Sequence, residues 1–135
     1  MITLIGMGSG TPESLTAQGL AALQNAGLIL GAKRLLEQLP QGCTEHRKAL
    51  YQPEDVLAAL AADPEVDAAL VYSGDTGFYS GAAKLLPLLR AMGYSVRVLP
   101  GLSSVQLLAA AVGRPWQDWK LVSAHGRACD PVAEV

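Results

Sequence analysis

The sequence predicts an α/β domain built on an open, five-stranded parallel sheet. Two observations carry that expectation. Short apolar runs at residues 2–5, 28–30 and 68–72 lack the alternation of half-exposed strands and read as buried strands, and residues 96–99, which include Arg97, read as a further strand. Between them lie stretches with helical start and stop signals, and β then α in turn means parallel strands joined by right-handed crossovers.

Each element has its own warrant. Residues 1–5 form the first strand, ended by Gly6. Residues 16–26 form a helix with Thr16 as N-cap and Leu20, Leu23 and Ala26 near one face. Leu28, Ile29 and Leu30 are a second buried strand, and residues 32–39 a short helix stopped by Pro40. Residues 45–50 are a weak third strand. Pro53, Glu54 and Asp55 open a helix to about Ala62, with proline and acids where the helix dipole favours them. Residues 68–72 are the fourth strand, and 81–92 a helix with Leu85, Leu86, Leu88 and Leu89 inside, interrupted at Pro87 and closed by Gly93. Residues 96–99 are the fifth strand and 103–112 the last helix, where Ser103 and Gln106 have capping-box spacing. Beyond Gly113 the chain changes character: residues 114–119 read as a polar, aromatic linker, 120–124 as a strand and 125–127 as a turn. The expected division is therefore a domain over 1–113, with 114–135 the linker and first strand of a second domain.

Composition narrows the function classes. Half of the 135 residues are hydrophobic and the mean hydropathy is +0.27, enough for a substantial core. Twelve acidic and ten basic residues give a net charge of −2, and no basic run exists, so a nucleic-acid partner is not expected. No apolar run reaches the length of a membrane span, and the start lacks a signal-peptide pattern. Cys43 and Cys129 make no disulfide framework, which points to a reducing cytoplasm. Cys43 with His46, and His125 with Cys129, would make four zinc ligands if they met; nothing in the pattern brings them together, and no metal is expected. A Cys/His nucleophile pair has no better support.

In open parallel sheets ligands lie at the carboxyl ends of the strands. Three loops follow strands there and are rich in Gly, Ser or Thr: residues 6–16, 73–81 and 100–106. The first, GMGSGTPESLT, approaches the dinucleotide fingerprint through Gly6 and Gly8, but Thr11 stands where a third glycine belongs and Gly10 comes one residue early. It is equally a tight turn that needs glycine. In the second, SGDTGFYSG, Asp75 can accept bonds from an amine or a ribose hydroxyl, or simply cap its own turn. Phe78 and Tyr79 form an aromatic pair unusual for a glycine loop. Lys33 and Arg34, just after the second strand, are solvated charges or partners for an anionic substrate.

Taken together, these loops resemble the tetrapyrrole methylase family. The matching stretches are residues 6–10 with Leu15 and Thr16, residues 73–79, and residues 100–104. The family usually has proline at the position of Ser9 and often at Thr76. Within it the resemblance is strongest to the branch that methylates C5 of precorrin-6Y in cobalamin biosynthesis, through residues 31–36, 77–79, 103–107 and 123–127. The resemblance implies the strand order 3-2-4-1-5 and S-adenosylmethionine bound in a cleft between this domain and a second α/β domain. Ser9, Gly74, Asp75, Thr76, Phe78, Ser103 and Ser104 would line the cofactor. Gly8, Gly10, Lys33, Arg34, Tyr79, His125 and Arg127 would face the corrinoid. Some relatives acting on porphyrinogen-like intermediates carry Asp at the position of Ala32; this chain does not, and no catalytic base is named. The resemblance further implies a cytoplasmic homodimer and a separate decarboxylating methyltransferase partner.

The resemblance also implies chains of roughly two hundred residues, two domains of about 100 each. A truncated chain holding half of the cofactor site, with weak or absent S-adenosylmethionine binding by itself, is therefore expected. The alternatives are a methyltransferase of the same fold with another substrate, as in diphthine synthase or the ribosomal RNA methylases, a nucleotide-binding module, and a non-catalytic interaction domain. Against the nucleotide module stand Thr11 and the lack of an acidic residue at the end of the second strand, where Gly31 lies.

Overall fold

The computed structural model describes residues 1–122 and divides the chain at Ser104 into two compact units. The first unit holds one five-stranded sheet, all parallel, in the order β3-β2-β4-β1-β5. Its strands are β1 (Ile2–Gly6), β2 (Leu28–Gly31), β3 (Arg47–Lys48), β4 (Ala68–Tyr72) and β5 (Val96–Leu99). Its helices are α1 (Ala17–Asn25), α2 (Lys33–Leu36), α3 (Pro53–Ala62) and α4 (Ala82–Ala91). The implied strand order is the observed one.

Burial explains why the central strands are apolar throughout. Every residue of β1 and β2, and the first four of β4, is buried. Alternate side chains go to opposite faces. Leu4, Leu30 and Leu70 pack with Val56, Leu60, Leu85 and Leu89 of α3 and α4. Ile5, Ile29 and Val71 pack on the other face with Leu23 of α1 and with Leu35 and Leu36 of α2. Each fully buried aliphatic side chain of this kind contributes about 1.5–3 kcal/mol by leaving water.

The helix signals translate into geometry. The Thr16 hydroxyl accepts the Gly19 N–H at 3.0 Å, so Thr16 caps α1 as expected. Pro53 starts α3 with Glu54 and Asp55 in its first turn. After α4, Gly93 at φ 84° turns the chain back, with Gly93 N–H on the Arg90 carbonyl and Tyr94 N–H on the Leu89 carbonyl. Two apolar side chains depart from the expected pattern. Leu88 is 42% exposed and Leu20 36% exposed, because the buried seam of α4 runs through Ala82, Leu85 and Leu89, and that of α1 through Gly19 and Leu23.

Helix α5 (Ser104–Val112) starts at the last residue of the first unit and supplies the first residues of the second. Gly113 at φ 69° ends it, its N–H on the Ala110 carbonyl and that of Arg114 on the Ala109 carbonyl. Lys120, Leu121 and Val122 hold no regular secondary structure. The rest of that segment, Ser123 and Ala124, lies outside the described residues. Among the described residues no helix is long and apolar enough to cross a membrane.

Candidate functional site

Strands β4, β1 and β5 lie side by side, so the loops leaving their carboxyl ends meet. Gly6 pairs with Tyr72 at the last register position of β1 and β4, and Met7 N–H continues the pairing to the Tyr72 carbonyl at 2.8 Å. The first two loops then join. Gly8 N–H donates to the Gly74 carbonyl at 3.1 Å, and Gly74 N–H returns to the Gly8 carbonyl at 2.8 Å, an isolated antiparallel bridge. Gly8 and Gly74 sit at φ 64° and 68°, conformations that glycine alone adopts without strain. The third loop closes against both. A Cβ on Gly6 would stand 2.7 Å from Gly101 N and 2.7 Å from the Gly74 carbonyl oxygen, and one on Gly101 would strike the backbone of Gly74 and Gly6.

Asp75 secures this seam. Its Oδ1 accepts Gly101 N–H at 3.0 Å and its Oδ2 accepts Gly77 N–H at 3.1 Å, one bond to each of two loops. Thr76, buried, donates its hydroxyl to the Leu99 carbonyl at 3.1 Å at the end of β5. Asp75 and Thr76 are thus both engaged with the chain itself, as the turn-capping reading of Asp75 anticipates.

Within the first loop a residue not singled out from the sequence is central. Ser14 ends a short 3₁₀ turn, Pro12–Ser14, and its Oγ reaches Ser9 N (3.1 Å), Ser9 Oγ (3.0 Å), the Thr11 carbonyl (2.9 Å) and the Met7 carbonyl (3.3 Å). The Ser9 and Thr11 hydroxyls lie 3.1 Å apart. Hydrogen bonds from its backbone and from the Thr11 hydroxyl hold the Glu13 carboxyl below its usual pKa. No motif signals Ser14; the pointer was only that a serine follows Pro12 at turn spacing.

The remaining candidates fall as follows. Gly8 and Gly10 are buried, and Ser9 is exposed. Phe78 is half-buried and meets Tyr79 edge to face, ring centroids 4.9 Å apart. Tyr79 is 52% exposed and lies at φ 47°, a left-handed conformation rare for an aromatic residue. Ser103 is buried and Ser104 exposed at the start of α5. Lys33 and Arg34 are exposed on α2. A Cβ on Gly10 would collide with the side chain of Gln38, so the segment just after α2 lies against the first loop. Among the described residues neither cation has an ion-pair partner, and the ion pair present there joins the Met1 ammonium to Asp67 at 3.1 Å. His125, Arg127 and Cys129 lie outside the described residues. Burial pushes the Cys43 thiol up, with Arg47 opposing, so it is poorly suited as a thiolate. A cavity of about 260 Å³ lies away from these loops, at the amino ends of the strands, lined by Met1, Thr3, Gln18, Asn25, Asp67 and Arg97 among others.

A Cβ on Gly74 would stand 3.8 Å from Ser103 Cα and 3.9 Å from the Leu102 carbonyl oxygen, so glycine leaves van der Waals space open between the second and third loops.

Comparison with known proteins agrees. The profile described as Tetrapyrrole (Corrin/Porphyrin) Methylases matches residues 1–134. A cobalt-precorrin-7 C(5)-methyltransferase of Salmonella typhimurium is 32% identical over 127 residues, covering 94% of this chain and 62% of that protein. The crystal structure of the methyltransferase CobJ superposes with a TM-score of 0.70 at 30% identity, covering 84% of this chain and 51% of that one. The precorrin-6Y methylase (cbiE) of Archaeoglobus fulgidus shares the fold, with a TM-score of 0.64 at 23% identity over 85% of this chain and 59% of that one. The chain thus spans about half to three fifths of the length of these relatives.

Proposed function

The chain belongs to the tetrapyrrole (corrin/porphyrin) methylases, and from that premise we propose that it takes part in S-adenosylmethionine-dependent C-methylation of a corrin precursor in cobalamin biosynthesis. The relative named for C5 of cobalt-precorrin-7 supports that ring position and a cobalt-bearing substrate. The observation that carries the reading is the seam of Gly8, Gly74 and Gly101, which draws three ligand-facing loops together at the carboxyl ends of adjacent strands.

Bound S-adenosylmethionine supplies a methyl group on a good leaving group. The chain's contribution is then orientation more than acid–base chemistry. Ser9, Gly74, Asp75, Thr76, Phe78, Ser103 and Ser104 form the cofactor side: Asp75 and Thr76 through the backbone they fix, and the serines and Phe78 through contacts. Gly8, Gly10 and Tyr79 form the floor for the flat macrocycle, and Lys33 and Arg34, with His125 and Arg127, meet its peripheral carboxylates. Holding an electron-rich ring carbon in line with the methyl group lowers the barrier without a strong base, and excluding water from the site strengthens the effect. Residues 1–113 are the amino-terminal domain in this proposal, and 114–135 begin the second. The family resemblance extends it to a cytoplasmic homodimer and a separate decarboxylating methyltransferase acting on the same corrinoid.

S-adenosylhomocysteine tests the reading. At millimolar concentration, about ten times an assumed Kd near 0.1 mM, it is expected to raise Tm by a few degrees, while NAD at equal concentration leaves Tm unchanged. A shift with NAD and none with S-adenosylhomocysteine would favour the nucleotide module and refute methyl transfer.

A further inference from the structure

Ser14 Oγ has one proton to give and two lone pairs, and the loop uses them all. It accepts the Ser9 N–H at 3.1 Å and the Ser9 hydroxyl at 3.0 Å, and donates to the Thr11 carbonyl at 2.9 Å. The same side chain fills the space that a Cβ on Gly8 would need, 2.7 Å from Oγ and 3.0 Å from Cβ. It therefore stands directly behind the bridge that ties Gly8 to Gly74. Ser9, by contrast, is exposed and has no buried packing to fix it. Its backbone N–H is held by a residue five positions on, and its hydroxyl by that same residue at 3.0 Å and by the Thr11 hydroxyl at 3.1 Å. Loss of that hydroxyl would free Ser9 to turn away while leaving β1, α1 and both apolar clusters intact, because Ser14 belongs to neither cluster.

We propose that Ser14 is a positioning residue: its hydroxyl clasps Ser9 and backs the Gly8–Gly74 bridge, holding the first loop in the shape that receives the cofactor. The proposal rests on the methyltransferase reading above. Three variants separate clasp from scaffold: S14A, S14V and S14T. Valine and threonine have nearly the same shape, and only threonine keeps a hydroxyl. Three quantities are measured: Tm without ligand, exchange of the Ser9 amide hydrogen, and the Kd of S-adenosylhomocysteine taken from Tm against ligand concentration. S14A and S14V are expected to speed Ser9 amide exchange about tenfold, to raise Kd about five- to tenfold, and to leave Tm within about 2 °C of wild type. S14T is expected to restore exchange and affinity together. Wild-type affinity in S14V, or no recovery in S14T, overturns the proposal. A loss of affinity that follows a fall in Tm through all three variants overturns it too, since that is a merely structural role. Wild-type protein that fails to bind S-adenosylhomocysteine overturns the positioning role in this chain, and the amide-exchange result then shows separately whether the clasp exists.

Discussion

Asp75 shows how a site residue can be structural and ligand-facing at once. It is half-buried between two loops and accepts N–H groups from both. The sequence left open whether it caps its turn or meets a ligand; its bonds explain why a carboxylate stands there before any ligand is considered. Tyr72, the last residue of β4, makes a sharper prediction. Burial pushes its phenol from 10.0 to about 12. Below pH 10 the hydroxyl is protonated in folded and unfolded chains alike, so the stability it contributes is fully present. Between about pH 10 and 12 the unfolded chain ionises first, and stability is expected to fall as pH rises, by up to roughly 2–3 kcal/mol. Denaturant midpoints across that range measure the fall, and Tyr72→Phe is expected to flatten it by that amount.

At the scale of elements, three of the five strands, β1, β2 and β4, are legible because they are buried on both faces, as strands covered by helices must be, whereas β5, at the sheet edge, keeps Arg97 and Val98 exposed. The third strand shrinks from the expected residues 45–50 to Arg47–Lys48, since it lies at the sheet edge and pairs with β2 alone. The second helix shrinks from 32–39 to Lys33–Leu36 because its later hydrogen bonds tighten: Gln38 N–H reaches Leu35 and Leu39 N–H reaches Leu36, three residues back, ahead of Pro40. Loop positions are legible from glycines after strand ends. Ser14 is not, because its partners lie five and seven residues back along an irregular path, with no period to betray them. Pro87 sits inside α4 on an exposed position, where its missing N–H leaves one helical bond unmade. Pro87→Ala is expected to raise the unfolding free energy by about 1–3 kcal/mol in urea titration. A loss of stability would mean that the helix path depends on the proline.

At the scale of the molecule, charge and topology act together. With a net charge of −2, the chain as a whole does not draw in an anionic substrate. Lys33 and Arg34 are exposed cations without ion-pair partners among the described residues, carried by α2, beside the first loop. Reversing both charges, K33E with R34E, is expected to raise KM for the corrinoid about tenfold at low salt, with KM for S-adenosylmethionine changed less than about twofold and the difference shrinking as ionic strength rises. Equal effects on both substrates would remove the two residues from the corrinoid side. The glycine seam has a different consequence, for how substitutions are interpreted. Gly6 and Gly101 are closed to larger residues by backbone contact alone. A mutational scan scored by protein abundance would therefore find them intolerant as surely as one scored by methyl transfer. Intolerance there is a signature of the turn geometry, and the positions whose effects separate the two scans are those that meet the ligand.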